Sequence, residues 1–272
     1  MTPVLEARTV TVRYGGVTAV DDVSFAVARA ETCGLIGPNG AGKTTLFDSL
    51  SGLTRPSAGR ILMNGEDVTA HSAVARARSG MRRTFQRHQL FGRLTVLDNV
   101  LMAAEWHGGG GGVFGDVLGL PWRRRLARER RERAREFLRL CGLDAVADTY
   151  AGGLSIGSAR MVELARALMD EPRILLLDEP TSGLDEADTD RLRRVLRTVT
   201  ASGQCSVLLV AHDVGFVMDV CDHIVVLDLG QVIADGLPQD VRDDPRVHAA
   251  YLVGSATDTA SAAAGQHRAP HD

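Results

Sequence analysis

Nine consecutive residues, Gly37-Pro38-Asn39-Gly40-Ala41-Gly42-Lys43-Thr44-Thr45, fit the pattern G-x-x-x-x-G-K-[ST]. Glycines at these places let the backbone curl until successive N–H groups point inward as an anion nest, at a helix N-terminus already biased positive. In such a nest Lys43 reaches the β- and γ-phosphates of a nucleotide, and the Thr44 hydroxyl helps to hold Mg²⁺. The alternative is an ordinary glycine-rich turn, but a short apolar strand before the loop and a helix after it are the context the pattern needs. Composition points the same way. Of the 31 basic residues 30 are arginine, and Lys43 is the single lysine. A planar guanidinium does not fit where a compact ammonium is required.

Two further strand ends carry polar groups. Ile174-Leu175-Leu176-Leu177 runs into Asp178-Glu179, which suits a Mg²⁺-holding carboxylate (Asp178) followed by a general base toward an attacking water (Glu179). The plainer reading is two carboxylates that close a strand. Val207-Leu208-Leu209-Val210-Ala211 ends in His212, where an α/β sheet places ligand contacts. That histidine suits a role on the γ-phosphate or its water, against the alternative of a merely structural residue.

These side chains need a scaffold, and the patterning describes one. The first thirty residues alternate apolar and polar, as in Val23-Ser24-Phe25-Ala26-Val27, which predicts an antiparallel sheet. Strands are expected at Cys33–Ile36, Arg60–Met63 with a turn at Asn64-Gly65, Ile174–Leu177 and Ser206–Ala211, with a closing hairpin around Leu229-Gly230. Helices are expected after the glycine loop to about Leu50, at Arg123–Arg139, Ala159–Met169 and about Asp188–Thr200, with helix-forming sequence from about Ala73. Gly108–Gly112 reads as a loop, and the chain after Gly254 as a disordered tail. Strands alternating with helices make the fold α/β with a mainly parallel sheet, an N-terminal antiparallel β-layer and an inserted α-helical part.

Bulk composition excludes several classes. A net charge of −3 with 44% apolar residues is ordinary for a globular chain, not for a disordered chain or a basic nucleic-acid binder. The longest apolar runs fall far short of the ~20 residues needed to span a bilayer, and no leader peptide opens the sequence. Cys33, Cys141, Cys205 and Cys221 lack metal or disulfide spacing and read as small buried hydrophobes.

In chain order, the glycine loop, Phe85-Gln86, Leu154-Ser155-Ile156-Gly157, Asp178-Glu179, Ser182-Gly183-Leu184-Asp185 and His212 resemble an ABC-type ATPase subunit over about residues 4–252. The resemblance implies a P-loop NTPase core over 1–84 and 161–253 with a helical subdomain over 85–160, forming one domain to residue 253 before the tail at 254–272. It implies ATP and Mg²⁺ as ligands. Tyr14 would stack on adenine, and Gln86 would sense Mg²⁺ and the attacking water and couple them to a membrane partner. Ser155 and Gly157 would contact the γ-phosphate bound on an opposite subunit, with Ser158 beside them, and Asp185 would organise the dimer seam. Plainer alternatives are a half-exposed strand aromatic (Tyr14), a solvated residue (Gln86) and a helix cap (Asp185). Ser158 departs from the family, which usually has glutamine there.

Gly236-Leu237-Pro238-Gln239-Asp240-Val241, Asp244-Pro245-Arg246-Val247 and Ala250-Tyr251-Leu252, with the insertion at about 107–135, resemble ATPases of branched-chain amino acid importers. ATPases of urea, amide and lipopolysaccharide-export systems end similarly. The resemblance implies a second ATP-binding subunit, identical or related, two transmembrane permease subunits, an extracytoplasmic solute-binding protein acting indirectly, and no nucleic acid. It places the chain peripherally on the cytoplasmic face of the inner membrane. Six Arg and no acid over 76–93, and nine Arg against three Glu over 123–139, suit that surface, or simply a solvated one. Rival readings are a soluble ABC ATPase acting on ribosomes or DNA, and a regulatory module that binds ATP but hydrolyses it weakly.

Overall fold

Alternating valines build the first layer. In β1 (Leu5–Tyr14) and β2 (Val17–Val27) the side chains of Val10, Val12, Val20, Val23 and Val27 are all buried on one face. β1 pairs antiparallel with β2 and with β4 (Ala58–Met63), and β4 pairs with β5 (Glu66–Asp67), giving the order β2-β1-β4-β5. The β4–β5 turn is Asn64-Gly65, with φ of 51° and 86°, the doubly positive combination of the turn whose twist matches paired strands.

This computed structural model describes residues 2–84, 90–106 and 121–251, without the side chains of 104–106 and 121–124. It divides into two compact units. The first holds residues Met1–Val27, Thr32–His71 and Val210–Asp272; the second holds Ala28–Glu31 and Ser72–Leu209.

The first unit also holds β3 (Thr32–Ile36), a strand of a separate sheet, every residue of which is buried. A strand covered on both faces shows no alternation, which explains the unbroken apolar run. β3 pairs in parallel with β9 (His223–Asp228), which forms a hairpin with β10 (Gln231–Gly236). The hairpin turn is tied on both sides: the Asp21 N–H donates to the Gly230 carbonyl at 2.8 Å, and the Gly230 N–H donates to the Ala41 carbonyl at 3.1 Å. Helix α1 (Lys43–Ser51) follows β3 across the glycine loop, and α7 (Val214–Val220) and α8 (Pro238–Arg242) complete the unit with a helical turn at 245–251.

The second unit carries β6 (Met81–Arg83), β7 (Ile174–Asp178) and most of β8 (Ser206–Val210), in the order β8-β7-β6. Its helices are α2 (Ala73–Arg78), α3 (Val96–Trp106), α4 (Pro121–Leu140), α5 (Ile156–Met169) and α6 (Glu186–Ala201). α3, α4 and α5 pack on one another, burying Leu97, Val100, Leu138 and Leu164.

The α/β class, the antiparallel first layer and the parallel pairings are as the sequence predicts. The helical character expected from Ala73 stops sooner. α2 has six residues, Gly80 turns the chain at φ 98°, and Met81–Arg83 pairs in parallel with Ile174–Leu176. Two arginines in a three-residue strand hide it from any apolar pattern. The short helices α7 and α8 were also not expected. All four cysteines are buried thiols. Gly108–Gly112 and the tail from 254 lie outside the described residues. Among the described residues no helix is long and apolar enough to cross a membrane.

Candidate active site

The glycine loop leaves the carboxyl end of β3 and enters α1 with Gly42 at its N-cap, where φ is 96°. A Cβ at Gly42 would lie 2.3 Å from the Ala19 carbonyl oxygen, so both the angle and the close approach require glycine. No side chain caps α1, and its first turn has no acidic residue. The helix dipole biases this end of α1 toward an anion. Lys43 is buried, and its ammonium donates to the carbonyls of Gly37 and Pro38, each at 2.8 Å. The ammonium is thereby folded over the loop. Asn39, Gly40 and Thr44 are exposed, Pro38 and Thr45 half-buried, and Ala41 buried. Tyr14 stands 51% exposed at the end of β1, and His212 is exposed just past β8.

One contact here was not signalled by the sequence. Tyr251, at the C-terminal end of the described chain, lies beside the backbone of Gly37. Burial raises the Tyr251 pKa above the usual tyrosine value, and the Gly37 backbone partly offsets the rise.

The carboxylates belong to the second unit. Asp178 closes β7 almost fully buried, and its Oδ2 accepts from Arg83 Nη2 at 2.9 Å. Both side chains are at most 10% exposed, a setting in which removing one partner alone costs about 3–5 kcal/mol. Glu179 follows at φ 47°, a left-handed conformation that costs a non-glycine residue on the order of 1–3 kcal/mol. Its backbone is held there. The Glu179 carbonyl accepts from Arg160 Nη1 at 2.6 Å and from the Ser182 N–H at 3.2 Å.

Arg160 comes from α5, the helix that opens with the Leu154–Ser158 stretch. Ser155 is its N-cap, accepting from the Ser158 N–H at 3.2 Å and donating to the Ser158 hydroxyl at 3.1 Å. Ser158, the residue that departs from the family, thus engages the Ser155 hydroxyl locally. Gly157 is buried against the first turn of α6: a Cβ there would fall 1.7 Å from Asp188 Oδ2. Asp185 caps that same helix, accepting from the Asp188 N–H at 2.8 Å. Ser155, Gly157, Asp178, Glu179 and Asp185 are therefore gathered in one unit by α5, β7 and α6. Gln86 and Phe85 lie outside the described residues.

Among the described residues no group of three or more His, Cys, Asp or Glu side chains could hold a metal ion by itself. The sequence did not point to Arg83 and Arg160 beside the carboxylates of the second unit, or to Tyr251 in the unit of the glycine loop. No local pattern marks them, because each acts on a segment distant in the chain.

Residues 20–182 match the ABC transporter family, and residues 231–252 match the branched-chain amino acid ATP-binding cassette transporter family. The chain belongs to the ABC transporter ATPases. Members of this family bind ATP and couple its hydrolysis to transport, and this ABC ATPase is an enzyme of that kind. It is 40% identical over 250 residues to BraF, a high-affinity branched-chain amino acid transport ATP-binding protein of Pseudomonas aeruginosa, covering 92% of this chain and 98% of that one. It is 36% identical over the same shares to LivG of Escherichia coli K12, which bears the same description. The fold matches the ADP conformation of an ABC transporter cassette with a TM-score of 0.78, at 28% identity over 93% of this chain and 99% of the other. A nucleotide-free cassette matches with a TM-score of 0.77, at 28% identity over 92% and 98% of the two chains.

Proposed function

We propose that this ABC ATPase powers the import of branched-chain amino acids through separate permease subunits, as one of a pair of ATP-binding subunits. The observation that carries the reading is the match at residues 231–252, beyond the general ABC match, to the branched-chain amino acid family. The BraF and LivG relatives, each covered over 98% of its length, support it.

The chemistry follows from the residues. The N–H groups at the start of α1 and the ammonium of Lys43 receive the triphosphate, the ammonium exchanging loop carbonyls for phosphate oxygens. Tyr14 offers an exposed ring to adenine. Glu179 is the residue that takes a proton from the attacking water. His212 orients that water or the γ-phosphate. When bound, Mg²⁺ neutralises charge on the phosphates, and Thr44, Gln86 and Asp178 are the residues that would hold it. The Ser155 hydroxyl and Gly157 N–H of one subunit grip the γ-phosphate on the other, so the dimer closes on ATP and opens once that phosphate is cleaved. Asp185 lies at this seam.

Docking to the permeases is assigned to the second unit, around Gln86. Phe91 and Tyr150 are 52% and 70% exposed there. The Gly152 N–H donates to the Gly92 carbonyl at 3.1 Å, and Thr95 bridges to Tyr150, which brings the two aromatic residues' segments together. Peripheral placement on the cytoplasmic face follows from that docking.

A second reading has its own observation: LptB of Acidithiobacillus ferridurans, a lipopolysaccharide export ATP-binding protein, is 37% identical over 93% of this chain. Uptake into vesicles by the reconstituted complex separates the two. ATP-dependent accumulation of leucine, isoleucine or valine is expected. Accumulation of urea or short amides alone, or ATP-driven lipopolysaccharide extraction, would overturn the assignment.

A further inference from the structure

Asp178 is not waiting open for a cation. Its carboxylate already carries one charge partner, the Arg83 guanidinium at 2.9 Å, and the pair is shielded from water. Arg83 sits on β6, whose backbone is locked to β7 by the pairings Met81 with Ile174, Arg82 with Leu175 and Arg83 with Leu176. The Thr84 N–H continues that lock by donating to the Leu176 carbonyl at 3.0 Å. A partly open cleft of about 20 Å³, room for roughly one water, is lined in part by Thr84, Arg160, Glu163 and Asp178. Arg83 precedes Gln86 by three residues, so the arginine that holds Asp178 and the glutamine assigned to coupling share one short stretch of chain.

We infer that Arg83 is a positioning residue that holds the Asp178 carboxylate in a paired resting state and competes with the divalent cation for it. This rests on the assignment of Asp178 to Mg²⁺. A guanidinium and a divalent cation at one buried carboxylate repel each other, so the arginine lowers cation affinity before nucleotide arrives. It also orients the Asp178 carboxylate when no cation is present. Both effects follow from one ion pair, and they have opposite signs in stability and in cation binding.

Thermal melting of the full chain, without nucleotide, tests this in EDTA and across a Mg²⁺ titration. Arg83→Met is expected to melt below wild type in EDTA and to regain most of that loss on adding Mg²⁺, with a half-point about tenfold or more below wild type's. Arg83→Lys, which keeps the charge, is expected to follow wild type. The double variant Arg83→Met with Asp178→Asn is expected to melt near wild type in EDTA and to ignore Mg²⁺. This keeps the test decisive if the single variant folds poorly. A loss equal in EDTA and Mg²⁺, or no loss at all, would overturn the inference. ATP binding by wild type is measured alongside: its failure would count against the nucleotide reading, while the Mg²⁺-only comparison still decides the role of Arg83.

Discussion

Gly157 and Asp188 are packed so closely that any side chain at 157 would overlap a carboxylate, its Cβ lying 1.7 Å from Asp188 Oδ2. Asp188 cannot easily turn away, because its other oxygen accepts from Arg191 at 3.1 Å. The start of α5 is thus seated on the start of α6, and the glycine serves packing as well as any phosphate contact.

Gly157→Ala should therefore destabilise the fold by about 1–3 kcal/mol, the usual cost of forcing extra volume into a tight contact. Adding Asp188→Ala should restore most of the melting temperature. If Gly157 also presents its N–H to a partner-bound γ-phosphate, hydrolysis should remain impaired in the double variant. Full recovery of turnover together with stability would reduce Gly157 to a packing residue.

Lys43→Ala removes a buried cation that donates to two carbonyls and is assigned to the phosphates. Charge-assisted bonds of this kind contribute about 1.5–3 kcal/mol each, so ATP affinity should fall by about a hundredfold or more. Lys43→Arg should not rescue it, since the planar head is too large for the loop. Equilibrium titration with a fluorescent ATP analogue reads both; retained affinity in Lys43→Ala would contradict the loop assignment.

Asp185 separates a local role from a shared one. It caps α6 by accepting from the Asp188 N–H, and Asp185→Ala should cost about 1 kcal/mol. Asp185→Asn keeps the capping oxygen and should melt like wild type. A loss of ATP-driven dimerisation in Asp185→Asn at unchanged melting temperature would be the signature of the seam role, and its absence would leave the cap alone.

Burial pushes the Cys141 and Cys205 thiols up to about 12, from 9.0. Their folded pKa values are raised, so the stability they contribute is fully present below pH 9.0 and is lost as pH climbs from there toward about 12, where the unfolded chain ionises first. Native protein at pH 8 should leave both thiols unalkylated, while urea-unfolded protein should label all four cysteines. Urea midpoints across pH 8–11 check the sign; a midpoint that rises over that interval would be inconsistent with it.

What the sequence made legible is what is encoded locally. The glycine loop, the apolar run ending in Asp178-Glu179 and the alternating valines of β1 and β2 each declare themselves within about ten residues, because phosphate nests and strand faces are built from neighbours. β6 escaped because a three-residue edge strand with two arginines has no period to read. Arg83 finds Asp178 across 95 residues, and Arg160 reaches the Glu179 carbonyl across 19. Such contacts follow only from how β6, β7 and α5 come together. The same holds for Tyr251 beside Gly37: the C-terminal stretch pointed to a kind of transporter, not to proximity to the glycine loop. The positive φ of Glu179 was equally hidden, being imposed by tertiary bonds against the preference of its own residue type.

Glu179→Gln tests the central claim most directly, because it removes the proposed base while leaving the backbone bonds from Arg160 and Ser182 in place. Light scattering with Mg²⁺ and ATP, beside steady-state phosphate release, should show a stable ATP-bound dimer and turnover reduced by about 10²-fold or more. A variant that hydrolyses ATP at the wild-type rate and stays monomeric with ATP would contradict both the base and the closure of two subunits on one nucleotide.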